Sequence, residues 1–293
     1  MPDLGLLKLF LRELFRARSL SRSLQPLSDI SVEAQIDAMG HGGSAEGRTA
    51  AGYLFHSAQI CSTIQGCETI VDLGCGTGVQ LIQVAQINPQ TQFIGVDRSP
   101  AMLDAAVCYA EANSIENVSF LADDLTDLRS IRSASVDGVI STMSLHHLPG
   151  TSELSSCFSE ISRILRPAGA IYIEDFGRLK CEGSVDYFVS RDALGKRDSF
   201  SQLYEASMRA AFLAEELRTY AGSMLPTRTR VFSTFPIPFL VVLKTPGADL
   251  TASQKRALAE HLDTLGAPQR RDYQELALAF RLGGLAAETP VHE

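Results

Sequence analysis

From residue 68 onward, short runs rich in β-branched residues alternate with stretches whose apolar residues recur at helical spacing. This alternation is typical of a mostly parallel sheet with helices on both faces. The last two strands are joined only by a short proline-containing segment, which predicts a hairpin and an antiparallel last strand. Seven strands are predicted, at residues 68–73, 92–96, 117–121, 136–141, 170–174, 228–234 and 239–244.

The first two dozen residues have an amphipathic pattern. Leu4, Leu7, Leu11 and Leu14 recur at helical spacing. Charged residues interrupt the apolar run too early for a signal peptide. We expect an amphipathic helix that packs on the body of the protein or on a partner, with attachment to a lipid surface as the alternative. The basic residues of this segment are Lys8, Arg12, Arg16, Arg18 and Arg22.

Helical segments flank the predicted sheet on both sides and also interrupt it. The chain is therefore predicted to consist of an N-terminal helical cap, a sheet domain and a C-terminal helical extension. The cap is residues 1–57 and contains a loose glycine-rich stretch at 39–44. The sheet domain is residues 58–245 and contains a substrate-side insertion at 178–228, which is helical over 201–220. The extension is residues 246–293.

The C-terminal extension is predicted to be a pair of helices. The first opens with Thr251 and Gln254 at the spacing of a capping box and stops at Gly266, and the second runs from about Gln269 to Leu282. This pair either closes the domain or forms the face of a homodimer.

Composition narrows the function classes. The 293 residues carry 26 basic and 34 acidic side chains, a net charge of −8 that repels a phosphate backbone. We therefore predict no nucleic-acid partner. No apolar run approaches the roughly 18 to 20 residues that a membrane helix needs, so no stable membrane insertion is expected.

The six cysteines are scattered along the chain, without a CxxC pair or a histidine at zinc-site spacing. They predict reduced thiols in a soluble, cytoplasmic protein that holds no metal. The six are Cys61, Cys67, Cys75, Cys108, Cys157 and Cys181.

A glycine-rich loop follows the first predicted strand and opens a helix, the context that favours nucleotide binding. A dinucleotide fingerprint requires a third glycine where this chain has Val79 or Leu81, so its spacing fails. Asp72 also places a carboxylate at the strand end, which suits an ammonium group better than a diphosphate.

The segment Asp72-Leu73-Gly74-Cys75-Gly76-Thr77-Gly78 resembles the first motif of the class I S-adenosylmethionine-dependent methyltransferases. Three further segments resemble family motifs in order. They are the second strand ending in Asp97, 19 positions after Gly78, the third strand with Asp123-Asp124, and the segment 135–149. The resemblance covers about residues 68–176 and implies a Rossmann-like, seven-stranded domain.

The resemblance implies S-adenosylmethionine as cofactor. Asp72 is expected near the methionine ammonium, Asp97 on the ribose hydroxyls, and Asp124, with Asp123 as second choice, on the adenine amino group. Helix N–H groups are expected near the methionine carboxylate. The complete predicted set is Asp72, Gly74, Cys75, Gly76, Thr77, Gly78, Asp97, Arg98, Met102, Asp123, Asp124, Leu125 and Thr142.

Methyl transfer from a sulfonium is an in-line displacement and needs no protein nucleophile, only a base where the acceptor must lose a proton. His147 is the candidate base and His146 the second choice, because both follow the fourth strand at the ligand-binding edge of the sheet. Fixing the loop or capping the next helix is the alternative role. Glu174 and Asp175 end the fifth strand on opposite faces, and one is expected to border the acceptor.

The acceptor is expected between the N-terminal segment and the insertion. Aromatic side chains there favour a small, partly apolar molecule, although each is also an ordinary candidate for core packing. A SAM-binding sensor or scaffold is the alternative function, and a nicotinamide-dependent oxidoreductase is less favoured. The predicted acceptor-site residues are Tyr53, His56, Asp175, Tyr187 and Tyr204, and further apolar surface comes from Phe188, Phe200 and Met208.

Overall fold

The computed structural model describes residues 4–16, 19–24, 31–42, 47–192 and 198–288, excluding the side chains of 4–7, 32, 39–42 and 192. Its centre is a seven-stranded sheet in the order β3-β2-β1-β4-β5-β7-β6, in which β7 runs antiparallel to both neighbours. The predicted fold class is confirmed. The strands are β1 (Thr69–Leu73), β2 (Gln92–Asp97), β3 (Val118–Ala122), β4 (Val136–Thr142), β5 (Leu165–Phe176), β6 (Arg230–Ser233) and β7 (Leu240–Lys244).

Helices cover both faces of the sheet, and each face has its own cluster of buried apolar residues. On one face α3 packs against α4, α10 and α11, whereas α6 packs against α9 on the other. The helices are α1 (Leu4–Phe15), α2 (Val32–Gly42), α3 (Ala50–Thr63), α4 (Val79–Ile87), α5 (Pro100–Ala112), α6 (Thr151–Ile164), α7 (Glu182–Asp192), α8 (Ser199–Ala210), α9 (Ala214–Met224), α10 (Ala252–Thr264) and α11 (Ala267–Leu282).

Local capping explains why two of these helices begin where the sequence predicts. At α5 the Ser99 side chain accepts a hydrogen bond from the Met102 backbone N–H, and Pro100 occupies the first turn. At α10 Thr251 and Gln254 form the expected reciprocal capping box. These caps satisfy backbone donors that would otherwise lack partners at the helix ends.

Three segments differ from the predictions by more than two residues or in their type of structure. β5 begins at Leu165 rather than 170, because Leu165 pairs with Val136 ahead of a register shift. The helix predicted over 201–220 is two helices, since buried Phe212 bridges to Gly177 between them. The loose stretch predicted at 39–44 is helical as far as Gly42, and its last two residues lie outside the described ranges.

The N-terminal helix α1 packs on the body of the protein, which is one of the two packing arrangements that the sequence predicts. Leu9 is buried, and the buried Glu13 carboxylate accepts hydrogen bonds from the backbone N–H groups of Lys180 and Cys181 at 2.9 and 3.1 Å. Arg22 then donates to four main-chain carbonyls and lies over the ring of Phe212. Among the described residues, no helix is long and apolar enough to cross a bilayer.

The C-terminal helices close the other side of the core. The rings of Phe55 on α3 and Phe280 on α11 stack with centroids 5.1 Å apart, and buried Lys244 donates to Gln59 at 2.9 Å. The predicted boundary at 57/58 falls inside α3. The domain limits and the homodimer face stay predictions.

Candidate active site

A cavity of about 1350 Å³ opens at the carboxyl ends of the central strands. Its wall runs from the glycine loop, past the ends of β2 and β4, to α7, α8, α11 and the β6–β7 loop. This edge of an open α/β sheet is where ligands bind. The predicted site residues in the wall are Tyr53, His56, Gly74, Gly76, Asp97, Arg98, Met102, Asp124, Leu125, Thr142, His146, His147, Tyr187 and Tyr204.

The glycine loop depends on left-handed backbone conformations. Gly74, Gly76 and Gly78 have φ angles of 74°, 52° and 74°, which glycine adopts without a steric cost. A Cβ at Gly74 would also overlap the Ser144 Oγ atom. The Gly74 and Cys75 N–H groups donate to the Val96 carbonyl at 2.7 and 3.0 Å, which holds the loop beside β2.

Two of the three acids at the ends of β2 and β3 line the cavity. Asp97 accepts hydrogen bonds from the backbone N–H groups of Gly76 at 3.0 Å and Ser99 at 2.9 Å. Asp124 lies in the cavity wall and accepts from the Thr126 N–H at 2.8 Å. Asp123 instead lies outside the wall and accepts from the Ser130 N–H at 2.9 Å. The structure thus places the first-choice acid, and not the second, at the cavity.

Asp72 is fully buried behind the loop. Its Oδ1 atom has no hydrogen-bond partner among the described residues. Burial, with a smaller contribution from the charge of Asp97, raises the pKa of Asp72 to about 7. A nearby cation would stabilise the ionised form of this carboxyl group. The other predicted cofactor residues that lie outside the cavity wall are Cys75, Thr77 and Gly78.

His146 and Asp175 form a buried pair between the 3-10 turn at Leu145–His147 and the end of β5. The ring Nδ1 lies 2.7 Å from Asp175 Oδ1, and the His146 N–H donates to Oδ2 at 2.9 Å. Although burial opposes ionisation, His146 and these hydrogen bonds hold the pKa of Asp175 below its usual range. An ionised Asp175 fixes the proton on Nδ1, leaving Nε2, which has no partner among the described residues, with a free lone pair.

His147 differs from His146 in exposure. Its side chain lines the cavity and is in part exposed to solvent, and no hydrogen bond to its ring is found among the described residues. Burial of the ring, with a smaller contribution from His146, lowers the pKa of His147 to about 3. The two imidazole rings lie 4.2 Å apart. Asp175, predicted to contact the acceptor, lies behind His146 and outside the cavity wall. The structure therefore brings the predicted histidines together but orients only His146.

A second buried group lies on the opposite face of β5. His56 Nδ1 is 2.6 Å from the Tyr172 hydroxyl, and His56 Nε2 is 3.6 Å from Glu174 Oε1. Burial lowers the pKa of His56 to about 3 and raises the pKa of Glu174 well above its usual range. Burial thus favours the uncharged forms of both His56 and Glu174, and the group presents polar atoms to the cavity.

Aromatic rings form the far side of the cavity. Phe188 stacks on Phe239 with centroids 4.2 Å apart, and Tyr204 packs against Phe176 and Phe200. Met208 is buried outside the wall. Sequence reasoning missed the contribution of the β6–β7 loop and of α11. The proline pair in the 235–238 loop was visible, but nothing in the sequence placed that loop beside the insertion.

Comparison with known proteins agrees with this geometry. Residues 65–209 match a family model described as a methyltransferase domain. The chain is 33% identical over 135 residues to an uncharacterized methyltransferase of Emericella nidulans, covering 40% of this chain and 46% of that relative. It is 27% identical over 215 residues to a trans-aconitate 2-methyltransferase of Acidovorax ebreus, covering 73% and 77%. Other relatives are named as rRNA and tRNA methyltransferases.

These matches centre on the sheet domain. In the first three curated relatives the match spans 46%, 29% and 27% of the relative's own length. Among solved structures, the plantazolicin methyltransferase BpumL in complex with SAH superposes with a TM-score of 0.53 at 15% identity, covering 90% of this chain and 92% of that one. At that identity the superposition shows a shared fold. Residues 65–209 and the sheet that they build therefore form a class I S-adenosylmethionine-dependent methyltransferase domain.

Proposed function

We propose that the protein transfers a methyl group from S-adenosylmethionine to a small, partly apolar acceptor. The observation that carries this proposal is one continuous cavity that joins the acid-and-glycine edge of the sheet to an aromatic chamber. Its volume of about 1350 Å³ exceeds the range of about 300–1,000 Å³ that is usual for a single small ligand. It therefore has room for a donor and an acceptor side by side.

The residues at the glycine edge fit the donor. Asp97 retains lone pairs for ribose hydroxyls, and Asp124 in the cavity wall can accept from the adenine amino group. Asp72 has an oxygen without a partner among the described residues, which can accept from an ammonium group. Gln80, at the start of α4, also has a buried, unpartnered Oε1. When bound, S-adenosylmethionine supplies an electrophilic methyl group on a sulfonium.

His146 is the residue we propose as the base. Its Nε2 accepts the proton that a hydroxyl, thiol or amine acceptor must lose, and the ionised Asp175 stabilises the resulting imidazolium. Asp175 acts through His146 and is a positioning residue. The buried pair also holds the ring in one orientation, because the same carboxylate accepts the His146 backbone N–H.

The charges of the cavity wall favour an uncharged acceptor. Arg48 is paired with Asp198, and Arg191 is paired with Asp272 and Glu275. The remaining wall arginine in the described chain, Arg98, follows Asp97 at the donor end. A polycarboxylate, which the trans-aconitate enzyme is named for, would need unpaired cations in the chamber.

Partners and location follow from the same features. The net charge of −8 disfavours a nucleic-acid acceptor, although some relatives are named for RNA. All six cysteines are free, which supports a reducing, cytoplasmic location. A SAM-binding sensor remains the alternative function, and it is distinguished by binding without turnover.

The ribose contact predicts a calorimetric result. Asp97→Ala should weaken S-adenosylhomocysteine binding by about 1–3 kcal/mol, because ribose hydroxyls lose a partly buried acceptor. Asp123→Ala is the matched control, since this carboxylate lies outside the cavity wall, and its affinity should equal that of the parent. Unchanged affinity in Asp97→Ala contradicts the assignment.

Asp72 predicts a pH dependence. An ammonium-bearing ligand prefers the ionised carboxylate, so binding weakens as pH falls below the Asp72 pKa of about 7. Between pH 8 and pH 5.5 the affinity for S-adenosylhomocysteine should fall about 30-fold, the ratio of ionised fractions. Calorimetry with 5′-methylthioadenosine, which lacks the ammonium group, should show no such fall. An equal pH dependence for both ligands, or its persistence in Asp72→Asn, contradicts this role.

A further inference from the structure

The exposed side of α1 is divided into two strips. Successive residues turn by about 100° around a helix. Leu9 and Glu13 point into the protein, whereas Leu11, Leu14 and Phe15 form an apolar strip that is 43%, 57% and 80% exposed. The basic strip beside it consists of Lys8, Arg12 and Arg16, all of which are exposed.

Helix α1 contacts the cavity wall through Phe10, which precedes the apolar strip in sequence. The rings of Phe10 and Phe235 lie 5.7 Å apart, and the Phe235 N–H donates to the Ala279 carbonyl on α11 at 3.0 Å. Phe235, Leu278 and Leu282 line the cavity and are themselves exposed. We call these three residues and the apolar strip of α1 the rim patch.

The rim patch concentrates the exposed apolar surface. Eight large apolar side chains are exposed in the described chain, and six of them belong to this patch. The other two are Leu24 and Val107, and Val107 lies on α5. Exposed apolar side chains clustered in this way mark an interaction site more often than isolated ones do.

The charged residues around the rim patch favour a negatively charged partner surface. Glu13 is buried and bound to backbone N–H groups, and Glu182 on α7, which lies near Arg16, is paired with Arg209. Neither acid forms an ion pair with Lys8 or Arg12 in the described part of the chain. The nearest acids on α11, Asp272 and Glu275, share Arg191. An apolar strip beside a basic strip complements the interface of a bilayer with anionic headgroups. Because the whole chain is acidic, such attraction is local to this face.

We propose that the rim patch and the basic strip of α1 dock on an anionic lipid membrane. The apolar side chains then lie at the level of the headgroups, without any segment crossing the bilayer. The cavity mouth faces the lipid, so an apolar acceptor enters the aromatic chamber directly from the membrane. This second clause, on acceptor entry, rests on the proposed function, whereas the docking itself does not.

The test is co-sedimentation of the full chain with vesicles. Parent protein should sediment with vesicles of equal parts phosphatidylglycerol and phosphatidylcholine, and not with phosphatidylcholine alone. Lys8→Glu with Arg12→Glu should weaken anionic-vesicle binding by at least about 25-fold, from about fivefold for each basic residue near such a surface. Leu14→Ser with Phe15→Ser should also abolish sedimentation. Val107→Ser removes an exposed apolar side chain outside the patch and should bind as the parent does.

Three results of the vesicle assay overturn the docking proposal. They are no binding of the parent to anionic vesicles, parental binding by the Leu14→Ser, Phe15→Ser variant, and an equal loss in Val107→Ser. A parent that is dimeric in the ultracentrifuge, becomes monomeric in the rim variant and ignores vesicles also overturns it, because the face then joins two copies of the chain. S-adenosylhomocysteine calorimetry on the same variants keeps the proposals separate. If the protein binds vesicles but does not bind S-adenosylhomocysteine, the docking proposal is supported and the clause on acceptor entry is contradicted.

Discussion

Replacing His146 by asparagine is expected to slow methyl transfer by about 10²- to 10⁴-fold, the usual contribution of a general base. Asparagine keeps an N–H donor near the position of Nδ1, so the buried Asp175 carboxylate retains a partner. It lacks the Nε2 atom that accepts the proton. The rate is measured as release of S-adenosylhomocysteine, with an acceptor found by screening apolar hydroxyl, thiol and amine compounds. The affinity for S-adenosylhomocysteine should stay unchanged.

Two controls separate catalysis from structure in this prediction. His147→Asn alters the exposed neighbour and should have little effect on the rate. Added imidazole should restore part of the activity of His146→Gly, a rescue that a purely structural histidine would not allow. If His147→Asn is impaired and His146→Asn is active, His147 is the base, as the sequence analysis first predicted.

Gly74→Ala is expected to lower the free energy of unfolding by about 2–4 kcal/mol, the sum of an overpacked contact and a left-handed backbone angle. The added Cβ would overlap Ser144 Oγ, and the φ angle of 74° disfavours any L side chain. Because Gly74 lines the cavity, S-adenosylhomocysteine binding should be lost as well. Denaturant unfolding followed by calorimetry measures both effects.

The matched control is Gly222→Ala on α9, where an added Cβ meets no atom within 4 Å. This variant should be about 0.5–1 kcal/mol more stable, since alanine is the better helix former. Adding Ser144→Gly to Gly74→Ala should recover the part of the loss that comes from the overlap. Parental stability and binding in Gly74→Ala would show that the loop does not need its glycine.

The donor edge of the site could be predicted because its residues are set by local sequence. A strand that ends in an acid, a turn that needs positive φ and a helix cap are each determined within a few residues. Asp97, Asp124 and the glycine loop therefore lie at one edge of the sheet, as expected. The antiparallel β7 is predicted from the short connection between the last two strands, whereas the order of the strands in the sheet is known only from the structure.

The acceptor side could not be predicted in the same way. His146 and His147 are adjacent and chemically identical in sequence, and only the packing of the turn against β5 brings Asp175 to the first of them. The chamber wall joins α3, α7, α8, the β6–β7 loop and α11, which are far apart along the chain. Contacts at such separation leave no periodic signal.

By itself the sequence determined the α/β sheet, the glycine loop and the acids at the ends of β2 and β3, because hydrophobic period, backbone conformation and capping are properties of short segments. Only the tertiary structure decided which histidine is oriented, that Asp175 supports it from behind, and that α1 contacts the cavity wall through Phe10. Those features depend on burial and on approach between distant segments, which are fixed when the chain packs.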